Sequence, residues 1–496
     1  MLLGKLTYAY NMVNKFNLFG KVNLPNRANF PNIAILTNRV NLANRINSIQ
    51  KKHINTLVPW VKQSQYSKLK TNITHSDDVY IYSNKKKIVD FTSGLMVVNL
   101  GHNNKEINQV FLDHVNKGIT YTSPIFSTYQ RELLSDRLTD LTKMRNGKVF
   151  FTNGGSDANE MATFIALEYS NIIDNNSSSD YYNNFYNRNH FFPDASSKQL
   201  IDENNHKSRI LSLKLSYHGG STVAATLLSG DDRKNNRLIH YQSLNNKLEP
   251  IIPNPDINDK GQKSLNVIEN EFKKGDVSSI ILEGSSGSSC LLLYPDNFLA
   301  KVRKLCDKYN VVFICDEVMS GWGRTGTLFA YQKHNIIPDI ITTAKGLTSG
   351  YCQLGAVIIC NKISKMYDNY NLMAGLTYFG HPLACSISNK CLDLYAYNDM
   401  EIVKNVNHKG KILSELGNEM KKLDSVKDYR NNGLLGAIEL NIDDETKLSK
   451  ISESMLNNGI FSFRRKNLIF TAPPLIIKDN VIKETMSKIN DILSIN

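Results

Sequence analysis

The chain has 496 residues, of which 41% are hydrophobic and 21% charged, a composition typical of a globular protein with more than one domain. This composition excludes a chain disordered throughout, a collagen-like repeat and a coiled coil, and no apolar run approaches the roughly 18 residues of a membrane span. The formal net charge is +13, from 59 lysines and arginines against 46 acids, so the position of the basic residues decides whether a nucleic-acid partner is expected.

The excess of basic residues lies near the N-terminus. Residues 1–76 contain eleven lysines and arginines and no acid, which leaves 48 basic against 46 acidic residues in the rest of the chain. Because the body is nearly neutral, we expect no nucleic-acid partner. We likewise expect no membrane partner, because no apolar run is long enough to span a bilayer.

Residues 1–55 form a leader with two interpretations. It is basic, free of acids and potentially amphipathic, since apolar residues recur at helical spacing: Leu36, Val40, Ala43 and Ile46. These properties are typical of a mitochondrial transit peptide and predict a matrix protein. The alternative is a low-complexity tail, because asparagine recurs throughout and serine is scarce. In that case we expect a cytoplasmic protein.

Beyond residue 77, short apolar runs alternate with longer helical patterns, which predicts an α/β fold with a doubly wound, mainly parallel sheet. The predicted buried strands are Val149–Thr152, Ile210–Leu215, Ile280–Leu282, Val311–Cys315, Ile340–Thr342 and Ala356–Cys360. Phe298–Tyr309 has a single apolar stripe and is predicted to be a helix. Residues 171–206 are rich in Asn, Ser, Asp and Tyr and are predicted to be an exposed insertion loop.

The pattern changes after about residue 390 to helices with a few strands, Leu434–Leu440 and Leu468–Thr471. We therefore expect a smaller α+β domain beside the large one. The predicted division, after the leader, is 56–120 for an N-terminal segment that contributes to the small domain and the substrate entrance, 121–375 for the large domain, and 376–496 for the small domain.

The cysteines and histidines indicate neither disulfides nor a metal centre. All seven cysteines lie between Cys290 and Cys391, none in a C-x-x-C pair, and several sit in apolar runs. An odd number of cysteines in a long chain argues against a secreted disulfide framework, so we expect buried thiols. No His-x-x-x-His motif is present, and we predict no metal site.

Polar clusters follow the predicted strands. They are residues 153–160, residues 216–219, Glu283, Asp316-Glu317 and Lys345-Gly346. Ligands of open α/β sheets bind beyond the carboxyl ends of the strands, so we expect these clusters to converge on one ligand site.

The combination of residue types suits pyridoxal 5′-phosphate. Lys345 would form the Schiff base with the cofactor aldehyde, and Asp316 would pair with the ring nitrogen. Gly154-Gly155-Ser156 opens a helix whose N-terminus would bind the phosphate. Tyr217 would stack on one face of the ring, and Val318 would cover the other.

Each feature has a simpler interpretation when it is taken alone. Gly154-Gly155-Ser156 is by itself typical of a turn with an N-cap serine, and Asp316-Glu317 of a pair of acids at a helix start. A single lysine after a strand is most often a solvated surface charge. Their joint occurrence in this order favours the cofactor site.

Five segments in this order resemble the class III aminotransferases, which are pyridoxal-phosphate enzymes of fold type I. The segments are Phe151–Ala162, Tyr217–Gly219, Asp316–Gly326, Pro338–Ala356 and Thr377–Pro382. The resemblance extends from about Trp60 to the C-terminus, interrupted at 171–206.

The resemblance implies roles for matching residues. Lys345 and Asp316 take the Schiff-base and ring-nitrogen positions, Gly155 and Ser156 the phosphate cup, and Tyr217 the stacking position. Thr377 matches a threonine that reaches the phosphate from the other subunit, which implies a homodimer with shared active sites. Glu283 matches a glutamate near the cofactor, and His218 lies inside one of the cofactor motifs.

Some positions depart from the family pattern. Gly154, Asp157 and Gln353 stand where serine, glutamate and proline are usual. The first two changes are mild, because the cup uses backbone N–H groups. Gln353 lies in the loop after Lys345 and removes no group that the chemistry needs. The glycine–serine stretch after Glu283 resembles the branch that acts on ω-amino substrates such as taurine and β-alanine.

The implied reaction is ping-pong transfer of an amino group from an amine donor to a 2-oxo acid, with Lys345 as the general base. The donor is expected to be an ω-amino acid such as β-alanine, taurine or 4-aminobutyrate, or an α-amino acid such as alanine. Arg465 is favoured over Arg464 for the substrate carboxylate by its spacing to Asn467, although both could be solvated charges. Trp60 matches an aromatic residue at the substrate entrance, or belongs to the core.

Two rival functions remain at this point. An aminomutase or a decarboxylase would use the same cofactor and fold. A cofactor-free scaffold or nucleic-acid binder would use neither, and the intact Lys345–Asp316 pair and the near-neutral body argue against it. Arg324 and Arg430 are interpreted as structural.

Overall fold

The computed structural model describes residues 56–59, 71–83, 86–174, 207–221, 223–225, 229–230, 251–287, 289 and 291–495. The backbone divides into two units, Met1–Asn72 and Ile73–Asn496. The predicted transit peptide, Trp60, Cys290 and most of the predicted insertion lie outside the described residues.

Fourteen strands are described, most of them short. They are β1 Ile73–Asp77, β2 Tyr80–Ser83, β3 Lys86–Asp90, β4 Lys148–Thr152, β5 Arg209–Leu211, β6 Val277–Glu283, β7 Val312–Asp316, β8 Ile340–Thr343, β9 Gly355–Ile359, β10 Val426–Asn432, β11 Leu435–Leu440, β12 Ile460–Phe461, β13 Arg464–Arg465 and β14 Leu468–Thr471.

The longer helices lie between these strands and after the last of them. They are α1 Lys105–Lys117, α2 Tyr129–Leu141, α3 Gly155–Asp174, α4 Gln262–Phe272, α5 Phe298–Tyr309, α6 Pro382–Ala396, α7 Glu401–Met420, α8 Glu445–Asn457 and α9 Asp479–Ser494.

The central sheet has six strands in the order β4-β9-β8-β7-β6-β5. Strands β5 to β8 are parallel, and β9 runs antiparallel to both of its neighbours. The predicted mainly parallel sheet is therefore confirmed. Because β9 is reversed, the carboxyl ends of β4 to β8 meet at the same edge, where the amino end of β9 also lies.

Helices pack on both faces of this sheet. In β7, Phe313 belongs to a buried cluster that contains Val302 of α5, whereas Ile314 belongs to a second cluster that contains Ile165 of α3. Successive strand residues point to opposite faces, so both faces bury apolar side chains. This arrangement explains why the strands read as continuous apolar runs in the sequence.

Most predicted boundaries lie within three residues of the observed ones, and the helix Phe298–Tyr309 is reproduced in full. The predicted strand Ile210–Leu215 is wrong in its length, because β5 ends at Leu211. Leu213 instead forms an isolated bridge with Ile252, and the N–H of Leu215 donates to the Asn254 side chain. These contacts turn the chain away from β6.

The start of the predicted insertion is also corrected. Residues 171–174 are the last residues of α3, not a loop. The Asn171 side chain donates to the carbonyls of Leu167 and Lys207. The chain that leaves α3 and the chain that returns at residue 207 are thereby held together.

Two smaller sheets lie outside the central one. Strand β12, near the C-terminus, pairs in parallel with β3, near the start of the described chain, with Ile460 opposite Val89. The other sheet has the order β10-β11-β14-β13. The predicted strand Leu468–Thr471 is β14.

The described cysteines are free, and four of them are buried: Cys306, Cys315, Cys385 and Cys391. The expectation of buried thiols is met for these residues. Among the helices that the structure describes, none is both long and apolar enough to cross a membrane.

Candidate functional site

A cleft opens at the sheet edge where β4 to β8 end. It contains about 580 Å³ of empty space, part of it open to solvent. Its lining residues are Gly155, Ser156, Asn159, Tyr217, His218, Gly219, Glu283, Ser285, Asp316, Val318, Met319 and Lys345. Side chains from distant parts of the sequence thus converge where open α/β sheets bind ligands.

The N-terminus of α3 forms one end of the cleft. A Cβ at Gly155 would lie 2.6 Å from Val318 Cγ1, and a Cβ at Gly219 would lie 2.4 Å from Ser156 Oγ. Gly219 also has a φ of 141°, in the region that favours glycine. Because these residues are glycines, Val318 packs directly on the backbone at Gly155, and the Ser156 side chain packs on the backbone at Gly219. The unpaired N–H groups of the first helical turn suit a phosphate.

The loop that carries Tyr217 and His218 is attached to α3. The N–H of Gly220 donates to Ser156 Oγ at 3.0 Å. The Glu160 carboxylate accepts from the Ser221 hydroxyl at 2.6 Å and from the Ala224 N–H at 3.0 Å. These contacts attach the segment that follows Tyr217 and His218 to the start of α3.

Asp316, the last residue of β7, is buried and held by three donors. Its Oδ2 lies 2.8 Å from Asn159 Nδ2 and 2.8 Å from His218 Nδ1. Its Oδ1 accepts from the Val318 N–H at 2.9 Å. When Asp316 is ionised, His218 Nδ1 carries the hydrogen of this pair. A carboxylate has about four acceptor positions, so Asp316 can accept one further hydrogen bond in the cleft.

Lys345 follows β8 after one intervening residue, at the start of a short 3₁₀ helix. It adopts a φ of 46°, which is uncommon for a residue with a side chain and is found at strained functional turns. The strand end is fixed by the Trp322 indole N–H, which donates to Thr343 Oγ1 at 2.7 Å. Lys345 is half-buried and lines the cleft.

The glycine–serine stretch after β6 folds back over Glu283. Glu283 Oε1 accepts from the Gly287 N–H at 2.9 Å, and a Cβ at Gly287 would lie 2.7 Å from the same oxygen. Ser285 lines the cleft, and its Oγ accepts from Asn432 Nδ2 at 3.1 Å. The stretch therefore forms a wall of the cleft.

The cleft gathers eight of the residues that the sequence suggested: Gly155, Ser156, Tyr217, His218, Glu283, Asp316, Val318 and Lys345. Gly154 precedes α3 and does not line the cleft; its carbonyl accepts from the Ala158 N–H. Thr377 is exposed, and its carbonyl accepts from the Tyr121 hydroxyl. Arg465 lies outside the lining and donates to the carbonyl of Ser289.

Four lining residues had no individual role in the sequence analysis: Asn159, Gly219, Ser285 and Met319. Asn159 and Gly219 nevertheless lie in clusters that were expected to converge on the site. A signal existed for Asn159, since it lies one helical turn after Gly155 and so on the same face of α3. Ser285 and Met319 carry no such signal, because their positions depend on how the stretches after β6 and β7 fold.

The residues present fit pyridoxal 5′-phosphate. The cleft combines an amine, a buried acid, an aromatic ring and a helix N-terminus at which glycines leave room for an anion. These are the groups that such a cofactor needs for its aldehyde, ring nitrogen, ring face and phosphate.

Comparison with known proteins agrees with this chemistry. Residues 61–493 match the family described as aminotransferase class-III, and the chain belongs to this family. It is similar to acetylornithine/succinyldiaminopimelate aminotransferase of Buchnera aphidicola, with 29% identity over 81% of this chain and 87% of the relative. It is also 26% identical to the mitochondrial acetylornithine aminotransferase of Candida glabrata, over 83% of this chain and 88% of that protein.

A solved structure shares both fold and sequence with the chain. Taurine:2-oxoglutarate aminotransferase from Bifidobacterium kashiwanohense, in complex with pyridoxal phosphate and glutamate, matches with a TM-score of 0.75 and 26% identity, over 91% of this chain and 97% of that one. The protein is thus a pyridoxal-phosphate-dependent aminotransferase of fold type I, which moves an amino group between an amine donor and a 2-oxo acid. An aminomutase or a decarboxylase is not favoured.

Proposed function

We propose that Lys345 and Asp316 carry the transamination in this cleft. The observation that supports the assignment is that both residues line one cleft, at the ends of adjacent parallel strands. Pyridoxal 5′-phosphate, when bound, supplies an aldehyde that takes up the amino group and a ring that withdraws electrons. Asp316 anchors the ring nitrogen. Lys345 attaches the cofactor and then moves the proton of the donor carbon as the general base.

The other cleft residues position the cofactor. The N–H groups at Gly155 and Ser156 bind the phosphate, with Gly154 leading into the helix. Tyr217 and Val318 hold the two faces of the ring, and His218 and Glu283 lie within the same cofactor site.

Replacing Lys345 with alanine tests the assignment. We expect Lys345→Ala to lower kcat by a factor of about 10³ or more, because the tethering amine and the general base are lost together. Borohydride reduction followed by peptide mapping should label Lys345 in the wild type. Lys214→Ala is the matched control, because Lys214 is exposed and lies outside the cleft. Full turnover by Lys345→Ala contradicts the assignment.

We propose further that the amine donor is an ω-amino acid with an anionic group, and that Arg465 binds this anionic group. In β13 the two arginines point to opposite faces, because they are neighbours in a strand. Arg464 is engaged by Glu445 of α8 at 2.6 Å, whereas Arg465 contacts Ser289 of the stretch that walls the cleft. The glycine–serine composition of that stretch supports the ω-amino class, and the aromatic Trp60 is proposed for the entrance.

A screen of amine donors against pyruvate, 2-oxoglutarate and glyoxylate tests the substrate class. We expect Arg465→Ala to raise KM for the carboxylate or sulfonate donor by about 10- to 100-fold, because a bidentate charged contact is lost. Arg464→Ala should leave KM unchanged. If both variants raise KM equally, Arg465 is not the specific anion partner.

We also propose a homodimer in which Thr377 serves the partner's site. Exposed apolar side chains occur in the two segments that meet at this residue: Ile125, Phe126 and Tyr129 in one, and Met373 and Tyr378 in the other. Tyr121 joins the two segments, because its hydroxyl donates to the Thr377 carbonyl and its ring packs edge-on against Tyr378. Exposed apolar side chains are typical of an interface, and a second copy would cover them.

Mixed dimers test whether the sites are shared. A dimer of one Lys345→Ala subunit and one Thr377→Ala subunit contains one intact site if Thr377 acts across the interface. Its Lys345 site should then bind pyridoxal 5′-phosphate as tightly as in the wild type. Weak binding, equal to that of the Thr377→Ala homodimer, means that Thr377 acts within its own subunit. A monomer in sedimentation contradicts the dimer itself.

We propose that residues 1–55 direct the protein to the mitochondrial matrix. Their acid-free, basic composition supports this proposal, as does the mitochondrial name of the yeast relative. A fluorescent fusion of residues 1–55 should enter mitochondria, and replacing Arg39 and Arg45 with glutamine should prevent entry. A fusion that stays in the cytoplasm excludes the transit peptide.

A further inference from the structure

Two buried residues near Asp316 have no role in the function proposed above. Asn159 lies on α3 and Thr342 in β8, and both are almost inaccessible to solvent. Buried polar side chains in folded proteins nearly always have hydrogen-bond partners. Their contacts form a chain that ends on the Asp316 carboxylate.

The chain of hydrogen bonds has a defined direction. The Thr342 hydroxyl donates to Asn159 Oδ1 at 2.6 Å. Asn159 Nδ2 in turn donates to Asp316 Oδ2 at 2.8 Å and to the His218 carbonyl at 2.7 Å. Both hydrogens of the amide and its oxygen are therefore engaged within the described residues.

This pattern fixes the orientation of the Asn159 amide. If the amide were turned over, its oxygen would face the Asp316 carboxylate and the His218 carbonyl, which are both acceptors. The Thr342 hydroxyl stabilises this orientation from the other side, because it donates to the amide oxygen. A hydrogen bond accepted by the amide oxygen also polarises the N–H groups that face Asp316.

The backbone of Thr342 is held independently of its side chain. The Thr342 carbonyl accepts from the Glu317 N–H at 2.9 Å, and Asp316 pairs with Thr342 in the parallel register of β7 and β8. Loss of the Thr342 hydroxyl should thus change the Asn159 contact without displacing the strand. A valine has nearly the same shape, which makes Thr342→Val a suitable variant.

We propose that Thr342 is a positioning residue. It acts through Asn159 to orient the Asp316 carboxylate that binds the ring nitrogen of the cofactor. The amide of Asn159 fixes the plane of the Asp316 carboxylate, and Thr342 fixes the amide. The inference rests on the proposed pairing of Asp316 with the ring nitrogen. It assigns no contact between Thr342 and the cofactor or the substrate.

The test compares two ligands of the apo-protein by fluorescence titration. One is pyridoxal 5′-phosphate, and the other is its carbocyclic analogue, in which C–H replaces the ring nitrogen. The ratio of the two affinities isolates the ring-nitrogen contact, because the phosphate and aldehyde contacts cancel. We expect Thr342→Val to reduce the preference for pyridoxal 5′-phosphate by about tenfold, since a charge-assisted hydrogen bond is weakened. Thr342→Ser keeps the hydroxyl and should keep the preference.

A double-substitution cycle provides the second measurement. Asn159→Ala should lose at least as much preference as Thr342→Val. Adding Thr342→Val to Asn159→Ala should cause no further loss, because Thr342 acts through the amide. Additive losses would overturn the inference, since they require an independent route. A residue that only stabilises the fold would lower the unfolding midpoint without changing the ratio of affinities.

The controls distinguish the role of Thr342 from the pairing of Asp316 with the ring nitrogen. Wild-type preference in Thr342→Val overturns the role of Thr342 alone. If the wild type binds both ligands equally, or if Asp316→Asn keeps the preference, the pairing of Asp316 with the ring nitrogen fails instead.

Discussion

Glu317 stands directly after Asp316 but faces a different environment. It is fully buried, and burial raises the pKa of its carboxyl group to about 7. The Ser320 hydroxyl at 2.6 Å and the Tyr331 N–H at 2.8 Å donate to it, which opposes part of that shift. Gly284 leaves room for it, because a Cβ there would lie 2.2 Å from Glu317 Oε1.

The raised pKa of Glu317 predicts a pH-dependent stability. A carboxyl group that binds its proton more tightly in the folded state contributes most below its ordinary pKa of 4.5, and this contribution is lost as the pH rises through about 7. In Glu317→Gln this part of the pH dependence should be absent. The difference in free energy of unfolding between wild type and Glu317→Gln should shift by about 3 kcal/mol across this range. Urea unfolding from pH 5 to 8 measures it.

Glu453→Gln is the control for this titration, because Glu453 is exposed on α8. Its unfolding free energy should run parallel to that of the wild type at every pH. Parallel curves for Glu317→Gln as well would show that burial does not govern the Glu317 carboxyl.

At the scale of residues, the sequence pointed to side chains that follow predicted strands. Asp316 and Lys345 could be found because a strand end and a residue type are both local properties. Thr342 and Asn159 could not be paired in this way, because their hydrogen bond joins β8 to α3 across 183 positions. Only the packing of α3 on the sheet brings them together.

In helix α7, a glycine allows the helix to pack closely against β10. Gly417 is buried in the helix, and a Cβ there would lie 2.1 Å from Tyr429 Cδ1 of β10. Glycine in a helix interior costs about 1 kcal/mol relative to alanine. The close approach of Tyr429 offsets this cost, because the buried ring packs directly on the helix backbone.

We expect Gly417→Ala to lower the free energy of unfolding by about 2 kcal/mol. The contact is far shorter than a carbon–carbon contact allows, so overpacking outweighs the gain in helix propensity. Chemical denaturation measures the change. Asn418→Ala is the matched control, because Asn418 is the next residue of the same helix and is exposed. A stabilised Gly417→Ala would mean that Tyr429 moves aside at little cost.

The elements themselves were largely predictable, and the exceptions have physical reasons. Strands of the central sheet are buried on both faces and so appear as uninterrupted apolar runs. The run at Ile210–Leu215 has the same appearance, but it leaves the sheet after Leu211 to contact the segment at Ile252. Apolar pattern indicates burial, and it does not indicate which partner a residue contacts.

Arg324 connects remote parts of the whole molecule. It is fully buried, and burial lowers the pKa of its guanidinium group to about 10. It donates to Asn99 Oδ1 at 2.6 Å and to the carbonyls of Leu434 and Pro473. A single side chain therefore joins the N-terminal part, the β10–β11 hairpin and the C-terminal part, in agreement with its interpretation as structural.

We expect Arg324→Met to lower the free energy of unfolding by about 3 kcal/mol. Methionine fills a similar volume, but it leaves several buried acceptors without a donor at about 1 kcal/mol each. Thermal and urea unfolding measure the change. Arg145→Met should change stability by less than about 0.5 kcal/mol, because the Arg145–Asp140 pair lies at the surface. Equal effects of the two substitutions would contradict this reasoning.

We propose that residues 56–120 and 376–496 form a smaller domain beside the large domain 121–375. The pairing of β3 with β12 supports the proposal, because it places one strand from each of the two segments in the same sheet. Hydrogen exchange should then show one protection level for β3 and β12 together and a second for the central sheet. A single shared level would contradict two domains.

The sequence by itself determined the fold class, the family and the side chains with the required chemistry. Those properties depend on local periodicity and on short motifs, which a chain carries whether or not it is folded. Only the tertiary structure decided which residues line the cleft, which of Arg464 and Arg465 faces the stretch near it, and that Asn159 holds Asp316. These contacts join residues far apart in the chain, and their distances follow from how helices and strands pack together.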